Sequence, residues 1–178
     1  MHSRSVANII QRGGTILKTA RFKEFFEKEG RAIAYKNLKK HGIDGLVIIG
    51  GDGSFRGADI FSREYDIPCI GIPGTIDKDI AGSDFTIGFD TAVNTALDSI
   101  DKIRDAADSH DRIFIVEVMG RSSGYIVSSV GLAGGAEEIL TPDNVVAVDK
   151  IVEKLKESRA KGKTSSILIT AEGQKPGR

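Results

Sequence analysis

Apolar residues gather in four short runs rich in Ile and Val. These are Leu46-Val47-Ile48-Ile49, Cys69-Ile70-Gly71-Ile72, Ile113-Phe114-Ile115-Val116 and Ile167-Leu168-Ile169. Runs this short and continuous predict strands of a parallel sheet covered on both faces. Between them the period changes. Val93, Ala96, Leu97, Ile100, Ile103 and Ala107 fall at i, i+3, i+4, i+7, i+10 and i+14, one stripe along a helix. Val148, Ile151, Val152 and Leu155 repeat the pattern, with Gly162 placed to stop it. A third helix is expected from Arg31 to Lys40, ending at Gly42. Strands alternating with helices predict an α/β fold, a three-layer, doubly wound, mostly parallel sheet. The polar stretch Asp105 to Asp111 is expected to cross the surface between two lobes.

The 178 residues carry 25 Lys plus Arg and 25 Asp plus Glu, a net charge of zero. That balance argues against nucleic acid or an anionic membrane as the partner, since both select a basic excess. No apolar run approaches the roughly 20 residues of a membrane span. The start, Met1 to Ser5, leads into no signal-peptide stretch, and the lone Cys69 can form no intrachain disulfide. A reducing cytoplasm is the expected location. Only glycine is enriched, with 21 residues, as where backbone turns tightly or closes on a ligand. Both ends look cut: the sequence stops at Gly173–Arg178, just after a strand, where an α/β sheet places a ligand loop. The chain is expected to be part of a larger domain.

Three loops carry chemistry, each following a strand. Ile49-Gly50-Gly51-Asp52-Gly53-Ser54 opens a helix, and glycines there let backbone N–H groups close on phosphate oxygens. The spacing Gly51-x-Gly53-x-x-x-Gly57 also mimics a dinucleotide fingerprint. Asp52 argues against that reading unless a divalent cation lies between carboxylate and phosphate, the way Mg²⁺ binds. The plainer alternative is a tight turn capped by Asp52. Pro73-Gly74-Thr75-Ile76-Asp77-Lys78-Asp79 places two carboxylates on the next loop, a set suited to a general base and a metal or orienting group. Solvated loop acids are the alternative. Val118-Met119-Gly120-Arg121-Ser122-Ser123-Gly124 presents an arginine, which takes phosphate in two parallel hydrogen bonds, or stands simply exposed at a turn. Together the three loops point to phosphate handling.

Gly50-Gly51-Asp52-Gly53-Ser54, Pro73-Gly74-Thr75-Ile76-Asp77-x-Asp79, Phe85-Thr86-Ile87-Gly88-Phe89-Asp90-Thr91-Ala92 and Val116-Glu117-Val118-Met119-Gly120-Arg121 resemble the 6-phosphofructokinases in sequence and order. Gly13-Gly14-Thr15 and Ala20-Arg21-Phe22 extend the resemblance to essentially the whole chain. It implies transfer of the γ-phosphoryl of ATP to fructose 6-phosphate. In that reading Asp77 accepts the sugar hydroxyl proton, Asp52 holds Mg²⁺, and Asp79 supports the metal and arginine geometry. Gly51, Gly53, Ser54 and Gly57 line the ATP phosphates, with Arg21 and Phe22 against the nucleotide. Thr75, Ile76, Asp77, Met119, Gly120, Arg121 and Glu172 contact the sugar phosphate, Thr75 and Arg121 also sharing in catalysis. Arg112 reaches the site of a neighbouring subunit in a homo-oligomer, a tetramer in the family. Arg104, Gly135, Glu137, Lys161 and Lys163 fall at effector positions of the allosteric members. Residues 1–87 correspond to part of an ATP-binding lobe and 88–178 to part of a sugar-phosphate and effector lobe.

Two further positions bear on the chemistry. Gly53 and Gly74 stand where pyrophosphate-dependent members carry larger charged residues, so the resemblance implies ATP as donor. Lys78 stands where the family usually has Asn, and a cation there is expected to favour the ionised forms of Asp77 and Asp79. The competing readings are a truncated or non-catalytic nucleotide-binding homologue and a pyrophosphate-dependent kinase.

Overall fold

A computed structural model describes residues 3–173. In chain order it has α1 (Lys28–Lys40), β1 (Leu46–Gly50), α2 (Asp52–Tyr65), β2 (Cys69–Pro73), α3 (Phe89–His110), β3 (Ile113–Val118), α4 (Tyr125–Ala133), β4 (Glu138–Leu140), α5 (Val148–Ala160) and β5 (Ser166–Ala171). Short 3₁₀ turns at Ser3–Val6 and Lys23–Phe26 precede α1. The fold is α/β with parallel sheets. β1 and β2 pair with Leu46 opposite Cys69 and Gly50 opposite Pro73. In the second sheet β5 lies between β3 and β4, with Ile113 opposite Ser166 and Glu138 opposite Leu168.

The four Ile/Val runs form β1, β2, β3 and β5. The long stripe lies in α3, where Ile100 and Ala107 are wholly buried. Gly42 and Gly162 follow α1 and α5 in the left-handed region, at φ of 64° and 92°, which ends each helix without a Cβ clash. Two elements are additional. α4 spans only nine residues, with Ile126, Val127, Val130 and Gly131 buried on one face and Ser128 and Ser129 its only polar side chains, and β4 is only three residues long. The expected crossing at Asp105–Asp111 is not found. Those residues complete α3, where Ala107 is buried and Ser165 donates to Asp108, and the chain turns only at Asp111. Residues 74–88 make the connection between the sheets instead. Ile87 N–H donates to Pro73 O at 2.9 Å and Gly88 N–H to Thr75 O at 3.3 Å, which folds this connection back on itself.

The main core lies between the second sheet and helices α3 and α4, with Ile100, Val127, Val130, Ile167 and Ile169 at its centre. On β1 and β3 the exposed Val47, Ile49, Ile113 and Ile115 alternate with covered residues. Arg31 clamps the first sheet's surroundings. Its guanidinium donates to both Glu64 carboxylate oxygens, at 2.6 and 2.7 Å, and to the carbonyls of Phe25 and Phe26. One side chain thus ties α1 to α2 and to the second 3₁₀ turn. Its hydrogen bonds hold the Glu64 carboxyl below the ordinary glutamate value.

Candidate active site

The loops after β1, β2 and β3 converge on a cleft of about 1090 Å³ lined by Gly51–Ser54, Thr75, Asp77, Asp79 and Arg121. α2 begins at Asp52 with no side chain capping its first turn. Ser54 and Phe55 N–H already donate to the Gly51 carbonyl, at 3.0 and 3.1 Å, so only the N–H groups ahead of them are left for another acceptor. A Cβ on Gly51 would lie 3.3 Å from Thr75 Cβ, so the glycine loop and the carboxylate loop touch. A Cβ on Gly53 would meet nothing within 4 Å. Gly74 differs: a Cβ there would come within 2.9 Å of Ile49 Cγ2, so a larger residue would have to displace the Ile49 side chain.

Asp77 is the buried acid of the cleft, its side chain 12% exposed. Its N–H bonds Thr75 Oγ1 at 3.1 Å, and Ser123 Oγ donates to its carbonyl at 2.8 Å. Arg121 Nε stands 3.5 Å from its Oδ2. Burial, then the charge of Asp79, push its carboxyl above the ordinary aspartate value; Arg121 and Thr75 pull it down, and Glu172 pushes it up. A carboxyl raised in this way is a stronger base when ionised. Arg121 is held with φ +50° and Gly120 with φ +139°, and Glu172 Oε1 accepts both their N–H groups, at 2.6 and 3.3 Å. A non-glycine residue at positive φ persists only where its surroundings over-determine it. Here Glu172, arriving from the end of β5, does so.

Other expected residues fall elsewhere. Ile76 packs on the core rather than facing the cleft, because the turn at Gly88 presses against it. Gly57 lies under the Phe25 ring, one turn into α2, away from the cleft. Arg21, Phe22, Met119 and Arg112 are exposed and do not line the cleft. Lys78 turns its ammonium to the faces of Phe85, Phe89 and Tyr125 and forms no ion pair with a described carboxylate. The expected depression of Asp77 by Lys78 is therefore absent, since the cation is directed at the rings. Sequence reasoning missed Arg12 and Lys18, which bring two cations to the cleft from the loop before Thr19. Their only signal was a glycine-rich, aperiodic stretch.

The expected effector residues gather at the opposite end of the second sheet. Arg104 donates to the Gly134 and Gly135 carbonyls, and Glu137 accepts from Lys163 and from Ile167 N–H. Lys161 is exposed at the end of α5. Ile167 and Glu172 are separated by the length of β5, roughly 16 Å at about 3.3 Å per residue.

The donor set of the cleft suits a hard divalent cation only with help. Asp52 lines it, 42% exposed and paired with Arg56 at 3.0 Å, and no described cluster of three acids or His and Cys could enclose a metal. Mg²⁺ takes one or two carboxylates and completes its shell with water and substrate phosphate, so Asp52 fits that role.

A sequence profile described as Phosphofructokinase matches residues 1–178. The chain is 59% identical over 174 residues to ATP-dependent 6-phosphofructokinase 1 of Thermus thermophilus, covering 98% of this chain and 54% of that protein. It is 57% identical over 175 residues to ATP-dependent 6-phosphofructokinase 2 of Bacteroides thetaiotaomicron, again covering 98% and 54%. Phosphofructokinase from Saccharomyces cerevisiae superposes with a TM-score of 0.85 at 36% identity, over 92% of this chain and 25% of that one. A pyrophosphate-dependent phosphofructokinase from Marinobacter aquaeolei gives 0.77 at 25% identity, over 98% and 47%. The chain spans about half the length of the curated relatives it matches. With its three strand-end loops in the family's order and its fold superposing on theirs, the chain belongs to the phosphofructokinase family.

Proposed function

We propose that this chain supplies the phosphoryl-transfer centre of an ATP-dependent 6-phosphofructokinase, converting fructose 6-phosphate to fructose 1,6-bisphosphate in glycolysis. The observation that carries the reading is the buried Asp77 carboxylate beside Arg121, facing the glycine loop at the start of α2 across one cleft. The ionised Asp77 takes the proton of the sugar 1-hydroxyl as that oxygen attacks the γ-phosphorus and the bond to ADP breaks. Arg121 carries the charge of the phosphoryl or sugar phosphate, and Thr75 orients Asp77 through its N–H. The N–H groups of Gly51 and Gly53 and the Ser54 hydroxyl receive the ATP phosphates, with Arg12 and Lys18 also lining the cleft. Asp52 would hold Mg²⁺, whose chemistry is to neutralise the phosphates, with Asp79 nearby. The open space at Gly53 favours a nucleotide over pyrophosphate.

Residues 1–87 belong in this reading to the ATP lobe and 88–178 to the sugar-phosphate and effector lobe, in a cytoplasmic homo-oligomer. Arg112, exposed after α3, is free to reach a neighbouring subunit. Arg104, Gly135, Glu137, Lys161 and Lys163 form the effector side. The test is a coupled assay of the protein completed to its relatives' length, with MgATP and fructose 6-phosphate. Turnover that requires both supports the reading; equal turnover with pyrophosphate, or none with either donor, overturns it.

A further inference from the structure

Lys78 sits between the two loop acids with φ +54°, a conformation that costs any side-chain-bearing residue. Its ammonium does not turn back to Asp77 or Asp79, although both are adjacent in sequence. It lies 5.0 Å from the ring centroid of Phe89, 5.4 Å from that of Phe85 and 5.8 Å from that of Tyr125. Within about 6 Å the ring quadrupole attracts a cation, and Lys78 meets three such rings at once. The rings belong to three segments. Phe85 is in the connection between the sheets, Phe89 is the first residue of α3, and Tyr125 is the first residue of α4. Two residues before Tyr125, Ser123 grips the Asp77 carbonyl at 2.8 Å. The carboxylate turn is thus fastened to the start of α4 twice, by a hydroxyl at Asp77 and by an ammonium at Lys78.

We propose that Lys78 is a positioning residue, whose aromatic cage of Phe85, Phe89 and Tyr125 locks the left-handed turn that aims Asp77 and Asp79 into the cleft. Its catalytic consequence rests on the phosphoryl-transfer reading above; its structural content does not. The cage satisfies the cation without pairing it to either acid, so a lysine next to the base neither neutralises it nor competes for phosphate.

Two measurements test this separately. In the full chain, amide hydrogen exchange at 78–80 is expected to run about tenfold faster in Lys78→Met, which keeps the stem and removes the charge. Lys78→Arg, whose guanidinium also stacks on aromatic faces, restores protection. The Lys78 ε-methylene protons are expected upfield in the parent and shifted back in Tyr125→Ser, a variant that leaves the lysine in place. In the protein completed to its relatives' length, Lys78→Met lowers kcat about tenfold with KM for ATP unchanged, and Lys78→Arg recovers it. Unchanged exchange in Lys78→Met, or an ε-methylene shift insensitive to Tyr125, overturns the proposal. A raised KM for fructose 6-phosphate without faster exchange also overturns it, assigning Lys78 to phosphate binding. A parent enzyme with no fructose 6-phosphate turnover sinks the functional reading while the exchange result still decides the cage.

Discussion

Asp77 Oδ2 and Arg121 Nε stand 3.5 Å apart, although Asp77 follows β2 in the first sheet and Arg121 follows β3 in the second. The acid is buried, the arginine mostly exposed. That asymmetry lets the arginine steady the carboxylate without cancelling its raised proton affinity.

If Asp77 is the base, Asp77→Asn in the length-completed enzyme lowers kcat by at least ~10²-fold, the low end for losing a general base. KM for fructose 6-phosphate changes much less. Near-parental kcat in steady-state assays removes Asp77 from the role.

The same substitution is expected to stabilise the fold. Asp77 titrates above its ordinary value of 3.8 when folded, so the native state binds its proton more tightly than the unfolded chain does. Stability from this group is complete below the ordinary value and is lost as pH rises through the folded one. At neutral pH Asp77→Asn therefore raises Tm, and the gain shrinks as pH approaches the ordinary aspartate value. Calorimetry across that range checks the sign; a lower Tm at neutral pH contradicts it.

Arg121 pulls the Asp77 carboxyl down, so Arg121→Gln raises it further. The acid limb of the kcat profile should move to higher pH, on top of a lower plateau. A limb that stays in place would separate the two residues.

Much of this arrangement was legible in the sequence, for reasons that differ by element. β1, β2, β3 and β5 announce themselves as short continuous Ile and Val runs, although Val47, Ile49, Ile113 and Ile115 leave one face of β1 and β3 exposed here. α3 does so because its buried side is a single stripe. α4 hides because it is short and its less buried side mixes Tyr125 and Leu132 with Ser128 and Ser129, which leaves too few polar positions to set the period. In the cleft, Asp77 and the Gly50–Ser54 loop were readable from local chemistry. The direction of Lys78 was not, since it depends on Tyr125, nearly fifty positions away. The backbone partners of Glu172, the N–H groups of Gly120 and Arg121, were not legible either, since they lie some fifty positions away.

Glu172→Ala removes that partner and frees Arg121 from its left-handed backbone. Losing a hydrogen bond to a charged acceptor costs about 1.5–3 kcal/mol. Denaturant melts should show a destabilisation of this order, and KM for the sugar phosphate should rise more than KM for ATP. An equal rise in both would place Glu172 outside the Arg121 loop's control.

Arg31→Met breaks the clamp between α1, α2 and the turn before α1. It should lower Tm more than Arg63→Met, whose partner Asp59 forms an exposed pair. Because Glu64 titrates below its ordinary value of 4.5, the pair's contribution is present above that value and lost as pH falls through the folded one. The difference between the two variants should therefore fade in acid. A gap that persists there would mean packing rather than charge carries the clamp.

The 3.5 Å gap between Asp77 and Arg121 has a mechanical consequence. Each partner rides on the tip of a loop rooted in a different sheet, so a small rotation of one sheet against the other is magnified at the tips. A misplacement of about 1 Å is enough to cost on the order of 10²-fold in rate. The gap therefore works as an alignment gauge between the two halves. In the enzyme proposed above, a molecule that wedged or stapled the seam between the sheets would change turnover without touching a reacting atom.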